Sequence, residues 1–155
     1  MLDYLYMKTQ ECAENAELYN HPLNYKVIGC AIEVHRQLGP GLPESTYERC
    51  LAHEMRLQGL SFEVQCPIPV KYKGITLDCG YRADLLVEDF LTVELKSVER
   101  TSNLHQAQLL TYMKLAEAPL GLLINFNVPL LKDGIRKCAI TNFSESSAHS
   151  CVKKF

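Results

Sequence analysis

An excess of positive charge is missing from this chain. Sixteen Lys and Arg against eighteen Asp and Glu leave a formal charge of −2 over 155 residues. No global basic field therefore advertises a nucleic-acid partner, and any contact with DNA or RNA has to come from local patches. A C-x-x-C pair is missing as well. The seven cysteines, at 12, 30, 50, 66, 79, 138 and 151, are odd in number and widely spaced. That removes the spacings on which zinc sites and disulfide frameworks depend, and it suits a reducing, cytoplasmic setting in which most of these thiols are small buried hydrophobes. No segment approaches the length of a bilayer span, and residues 1–21 have no basic start and an apolar run broken by Asp3, so they read as neither signal nor anchor. No Ser or Cys sits in a nucleophile motif beside a base, which leaves a covalent intermediate without a candidate.

What the chain does have is strand-like alternation over residues 80–98. Ala83, Leu85 and Val87 alternate with Arg82, Asp84 and Leu86, and after Glu88, Asp89 and Phe90 the period returns, with Leu91, Val93 and Leu95 against Thr92, Glu94 and Lys96. If those three residues form the loop, Val87 pairs with Leu91, Asp84 faces Glu94, and Lys96 lies one pleat further on the same side. Like charges directly across a hairpin repel, and two explanations compete. In the first, the polar face is open and the three side chains only solvate it, with Lys96 as counter-charge. In the second, the carboxylates share a hard cation such as Mg²⁺, which takes one or two carboxylates together with water and substrate phosphate, while Lys96 positions or activates a water. A register slip of one residue would put Asp84 and Glu94 on opposite faces and end the second explanation.

The rest of the chain frames this hairpin. A content of 47% hydrophobic residues over 155 positions suits one domain with its own core. Residues 1–22 read as an extension with a weak amphipathic pattern, a mobile arm or a docking one. From Pro22 a helix sets Tyr25, Ile28, Ala31, Ile32, His35 and Leu38 on one side and ends at Leu38-Gly39-Pro40-Gly41, a corner between two helices. His35 beside that corner reads as a capping or packing residue. Pro43 opens a second helix that stops at Gly59; Glu44 falls in its first turn, where the helix dipole favours a carboxylate, and Tyr47 shares that face. Residues 60–73 alternate around Pro67 and Pro69 as edge strands, with a turn at Gly74. After the hairpin, Ser102 or Asn103 caps a helix over 104–117 that carries Leu104, Gln108, Tyr112 and Leu115 on one face. Residues 120–126 are an apolar run interrupted by Asn125 alone, a strand buried on both faces and, after a crossover helix, parallel to its neighbour. Asp133-Gly134 reads as a turn, 135–141 as a last strand and 144–155 as a polar tail, with a basic patch of Lys132, Arg136, Lys137, Lys153 and Lys154.

Asp84 followed by Glu94-Leu95-Lys96 resembles the D…ExK signature of the PD-(D/E)xK nuclease superfamily, and Gly41-Leu42-Pro43-Glu44-Ser45-Thr46-Tyr47 is similar to the G-x-x-E-x-x-Y string that names the GxxExxY family within it. Gln108 and Tyr112 resemble the Q-x-x-x-Y string of exonuclease-type members; a buried Gln–Tyr pair accounts for them equally well. The resemblance implies an α/β, restriction-endonuclease-like single domain over residues 23–143, a mixed central β-sheet flanked by helices. It implies a catalytic set of Glu44, Asp84, Glu94 and Lys96, with Mg²⁺ or Mn²⁺ held by Asp84, Glu94, the backbone carbonyl of Leu95 and Glu44. Tyr47, Gln108 and Tyr112 take supporting roles. Nucleic acid, DNA before RNA, is the implied partner, and a homodimer is open. Some relatives carry a four-cysteine iron–sulfur cluster; this chain lacks the clustered carboxy-terminal cysteines, and none is expected.

The resulting expectation is metal-dependent hydrolysis of phosphodiester bonds. Two other readings use the same residues differently. A non-catalytic nucleic-acid-binding or protein-binding module on this fold would fit the missing basic excess. A metal-dependent hydrolase of a small phosphorylated substrate would keep the site and enclose it in a compact pocket.

Overall fold

The computed structural model describes residues 16–141. The amphipathic pattern before residue 16, Cys12 and Cys151, the polar tail 144–155 and Lys153 and Lys154 all lie outside them. A single turn, α1 (Ala16–Tyr19), leads into two long helices, α2 (Pro22–Leu38) and α3 (Glu44–Leu57). Then come β1 (Phe62–Pro67), the short strands β2 (Val70–Tyr72) and β3 (Ile75–Leu77), and the central pair β4 (Arg82–Val87) and β5 (Leu91–Lys96). Helix α4 (Asn103–Ala116), β6 (Leu120–Asn125), a 3₁₀ turn (Leu131–Gly134) and β7 (Ile135–Ala139) complete the chain.

The main sheet has the order β1-β4-β5-β6-β7, and β2 and β3 pair apart from it. All its pairings are antiparallel except β5 with β6, which α4 connects by the crossover its position requires. The result is a mixed central sheet flanked by helices, the restriction-endonuclease-like arrangement.

The sheet is buried on both faces. On one, Leu85, Val87, Leu91, Val93, Leu95, Leu122 and Ile124 pack against α2 and α3 in the principal core. On the other, Leu109 and Met113 of α4 meet Leu123 and Cys138, while Tyr112 joins Leu86 and Ala83. Helix α4 approaches closely because Gly121 has no side chain: a Cβ there would run into the Met113 thioether.

The buried stripe of α2 is not the expected one. Leu23, Val27, Cys30, Ala31 and Val34 face the core, whereas Tyr25, Ile32 and Leu38 are among the exposed large hydrophobics. Two apolar stripes compete at helical spacing. The stripe carrying the compact residues Val27, Cys30, Ala31 and Val34 admits the close approach of α3 and the sheet, and Tyr25 instead takes Lys137 Nζ over its ring at 4.7 Å. Asp133 and Gly134 form the turn expected there, as the end of a 3₁₀ turn. One further difference is local: Leu104, expected on the packed face of α4, is 76% exposed in the first turn of that helix.

The corner between α2 and α3 is built around Tyr47. Gly39 and Gly41 adopt φ of 68° and 99°, angles that a side chain rarely tolerates. The Tyr47 hydroxyl donates to Gly39 O at 2.6 Å and accepts from Leu42 N–H at 3.1 Å, and its ring stacks on Phe126 with centroids 4.3 Å apart. Tyr47→Phe keeps the stack and leaves two half-buried backbone groups without their partner. It should cost about 1–2 kcal/mol in urea unfolding, and a change of a few tenths would refute this role.

Candidate active site

The β4–β5 loop is Glu88, Asp89 and Phe90, with Val87 opposite Leu91. Glu88 and Asp89 both have positive φ, 54° and 52°, and Phe90 N–H bonds Val87 O at 3.0 Å, a tight turn whose twist matches the strands. The ladder continues through Leu86↔Thr92 to Leu85↔Val93, so Asp84 and Glu94 come next, opposite each other. There backbone pairing gives way to side chains. Asp84 N–H donates to Glu94 Oε1 at 3.2 Å, and Leu95 N–H donates to Asp84 Oδ2 at 2.8 Å. Each carboxylate thus accepts a backbone proton from the other strand, which offsets part of the repulsion between them.

The polar side of this hairpin is not open. Leu86 and Thr92 beside the pair are buried, and Glu94 is 3% exposed, so solvation of a free surface does not account for a glutamate at this position. Burial, and then the Asp84 carboxylate, push the Glu94 carboxyl up to about 8, with Glu44 adding to the effect; the Asp84 N–H and the Lys96 ammonium pull the other way. Among the described residues Lys96 makes no ion pair with a carboxylate, and its backbone O accepts Phe126 N–H at 2.9 Å.

Helix α3 brings more carboxylates to the same place. Glu44, its first residue, accepts Ser97 N–H at 3.4 Å, and Ser97 Oγ donates to Leu42 O at 2.6 Å, which ties the helix start to the end of β5. Glu48, one turn on, was not picked out from the sequence. Its Oε2 accepts Gln65 Nε2 at 2.5 Å, and the same amide reaches Asp84 Oδ1 at 3.2 Å. Burial, Asp84 and Glu44 raise the Glu48 carboxyl against that hydrogen bond. Gln65 holds its position with φ of 52° inside a strand, a strained conformation for a residue with a side chain.

Glu44, Glu48, Gln65, Asp84 and Leu95, with Pro43 and Ser45, line one cavity of about 410 Å³. Glu94, bonded to Asp84 N–H, is not on that wall, and Lys96, Tyr47, Gln108 and Tyr112 do not line it. Gln108 Nε2 donates to Tyr112 Oη at 3.0 Å, a pair set in the α4 face of the core. His35 Nε2 donates to Val128 O at 2.8 Å, a packing role. A larger groove of about 630 Å³ between α2 and α3 shares Ser45 with the acidic cavity. It holds a single acidic residue, Glu54, and so lacks the opposed carboxylates that single out the smaller one.

No three His, Cys, Asp or Glu side chains among the described residues group as a ready metal cage. The donor chemistry nevertheless fits a hard cation: the acidic cavity offers the carboxylates of Glu44, Glu48 and Asp84 with no thiolate or imidazole, and Mg²⁺ is commonly bound by one or two carboxylates with waters completing its shell. Of the five described cysteines, Cys30, Cys66 and Cys138 are buried, Cys50 is half-buried and Cys79 is exposed. No described helix is long and apolar enough to cross a membrane.

Glu48 and Gln65 carried different amounts of sequence signal. Glu48 follows Glu44 at the spacing of one helical turn, which puts both on one face. Gln65 becomes visible only when β1 is known to pair with β4, a contact no local pattern encodes. Comparison with curated proteins and with solved structures finds no match. The sequence matches the PD-(D/E)XK nuclease superfamily over residues 21–138, a span that holds both helices of the corner, the paired carboxylates and the crossover, and the chain belongs to that superfamily.

Proposed function

We propose that this chain is a Mg²⁺- or Mn²⁺-dependent nuclease of the GxxExxY type that hydrolyses phosphodiester bonds of DNA or RNA in the cytoplasm, with residues 23–143 as the catalytic unit. The observation that carries the reading is the pair of hydrogen bonds across the hairpin, Asp84 N–H to the Glu94 carboxylate and Leu95 N–H to the Asp84 carboxylate, which holds two carboxylates face to face in a largely buried setting where structure alone would place an apolar pair.

Asp84, Glu94 and the Leu95 carbonyl would hold the cation, and Glu44 would complete or orient its shell. Bound there, the cation supplies charge neutralisation for the phosphate and the leaving oxygen. Lys96, on the strand that carries Glu94, would align the attacking water through its ammonium, or take the water's proton after giving up its own. Glu48 and Gln65 are positioning residues: the amide fixes Asp84 from one side while Leu95 N–H fixes it from the other. Gln108 and Tyr112 brace α4 behind the hairpin, and Tyr47 sets the corner that presents Glu44.

Calorimetry with Mg²⁺ and Mn²⁺, run beside cleavage of single- and double-stranded DNA and of RNA, tests the proposal. Metal binding together with EDTA-sensitive cleavage is the expected result. A wild-type protein that neither binds metal at millimolar concentration nor cuts any of these would point to the non-catalytic module instead.

A further inference from the structure

Every residue from 71 to 82 is exposed. That stretch holds most of the β2–β3 hairpin, which pairs Val70 with Leu77 and Tyr72 with Ile75, so these four side chains form one face and Lys71 with Thr76 the other. Of the ten exposed large hydrophobics among the described residues, four, Tyr72, Ile75, Leu77 and Tyr81, fall in this segment, with Tyr72 at 58% and Tyr81 at 49%. A two-stranded ribbon with a bare apolar face gains little for folding, and an apolar cluster concentrated this way marks a surface that meets something.

The cations in the same segment identify the occupant. Lys73 Nζ sits 5.4 Å from the centre of the Tyr72 ring, with Lys71 on the opposite face of the ribbon. The segment's one carboxylate, Asp78, is engaged with Gly80 N–H at 3.0 Å. In a chain of net charge −2 this is a local positive patch interleaved with rings, the combination that binds unpaired nucleic acid by stacking bases and neutralising phosphates. The patch also leads to the acidic cavity. The Tyr81 ring lies 6.4 Å from that of Tyr112, Arg82 Nη1 donates to Gln65 O at 3.3 Å, and Asp84 is three residues, about 10 Å of strand, from Tyr81.

We infer that the β2–β3 hairpin, with Tyr81 and Arg82 at its foot, is a sequence-blind platform for a single nucleic-acid strand that runs toward Asp84. Tyr72 and Tyr81 stack on bases, and Lys71, Lys73 and Arg82 meet phosphates. Duplex DNA hides its base faces and would not engage the rings, so the substrate class is single strands or unpaired ends. What the strand is delivered to rests on the nuclease reading; whether it binds does not.

The test is fluorescence anisotropy in EDTA with oligothymidine, oligouridine and a blunt duplex of equal length, over a series of salt concentrations. Single strands are expected to bind more tightly than the duplex. Tyr72→Ala should weaken that binding about tenfold and Tyr72→Phe should not, with both variants melting close to wild type because the hairpin stands outside the core. Lys71→Ala with Lys73→Ala should lower the slope of log affinity against log salt by about 0.7 for each phosphate that is no longer neutralised. Unchanged single-strand affinity in Tyr72→Ala, preference for the duplex, or a dimer of this chain that Tyr72→Ala dissolves would each overturn the inference. No hydrolysis is needed for the readout. A protein that binds strands through Tyr72 yet cuts none would remove the nuclease reading and leave the platform standing.

Discussion

Asp84→Asn is expected to abolish metal binding in calorimetry and to lower cleavage by about a thousandfold or more, whereas Lys96→Ala should keep metal binding and lose cleavage by about a hundredfold or more. The two carboxylate oxygens of Asp84 have separate duties. Oδ2 accepts Leu95 N–H and Oδ1 meets the Gln65 amide. An asparagine can satisfy only one of those donors; its own NH₂ then confronts the other, so both the charge and the orientation are lost. Lys96 is different because it makes no ion pair with a carboxylate among the described residues. Removing it takes away a cation and leaves the carboxylate geometry intact, so the metal stays and the water loses its partner. The split between binding and turnover makes the pair informative. Asp84→Asn cutting within tenfold of wild type, or Lys96→Ala losing metal as completely as Asp84→Asn, would sink the assigned roles. Both variants should melt cooperatively, since neither side chain belongs to the principal core.

The parts of this site legible in the sequence were those set by local period. Alternation through Ala83, Leu85 and Val87 and again through Leu91, Val93 and Leu95, with a three-residue loop, determined that Asp84 would oppose Glu94, and the ladder through Leu85↔Val93 has that register. The helix start beside Pro43, with Glu44 in its first turn, a cap at Ser102, one of two candidates with Asn103, and the parallel pairing of Leu120–Asn125 with β5 followed from similarly local rules. What local period could not reveal was tertiary. The polar side of the hairpin looked open because Arg82, Asp84, Glu94 and Lys96 are polar, yet α4 covers its middle and turns Glu94 into a buried acid. Gln65 entered the site through β1–β4 pairing. The face of α2 was misread because Tyr25 and Ile32 are as apolar as Val27 and Val34, and only the closeness of α3 and the sheet selects between the two stripes. Tyr47 illustrates the same limit from the other side: its spacing from Glu44 suggested a shared surface, but its hydroxyl is spent on Gly39 and Leu42, so it shapes the site from within the core.

The largest pH effect should come from Glu94. Its carboxyl is pushed up to about 8 in the folded chain from a usual value of 4.5, so between those limits the native state holds a proton that the unfolded state has released. Protons bound in excess by the native state mean that stability falls as pH rises. The contribution is fully present below the unfolded value of 4.5 and is lost progressively until the pH passes the folded value of about 8. In EDTA the wild type should therefore lose a few kcal/mol of stability from this group on going from mildly acidic to alkaline pH, while Glu94→Gln, neutral throughout, should show a flatter profile and overtake it at the alkaline end. A cation changes the balance because it competes with the proton for the same carboxylate. Mg²⁺ binding near neutral pH should release close to one proton, detectable by calorimetry in buffers of different ionisation enthalpy, and its affinity should rise about tenfold per pH unit until Glu94 is fully ionised. Asp84→Asn should move the same transition downward, since the Asp84 charge is the second cause of the shift after burial. Coincident stability profiles for wild type and Glu94→Gln in EDTA would mean that Glu94 is ionised in the folded protein. The opposed carboxylates would then need a standing counter-charge other than a proton.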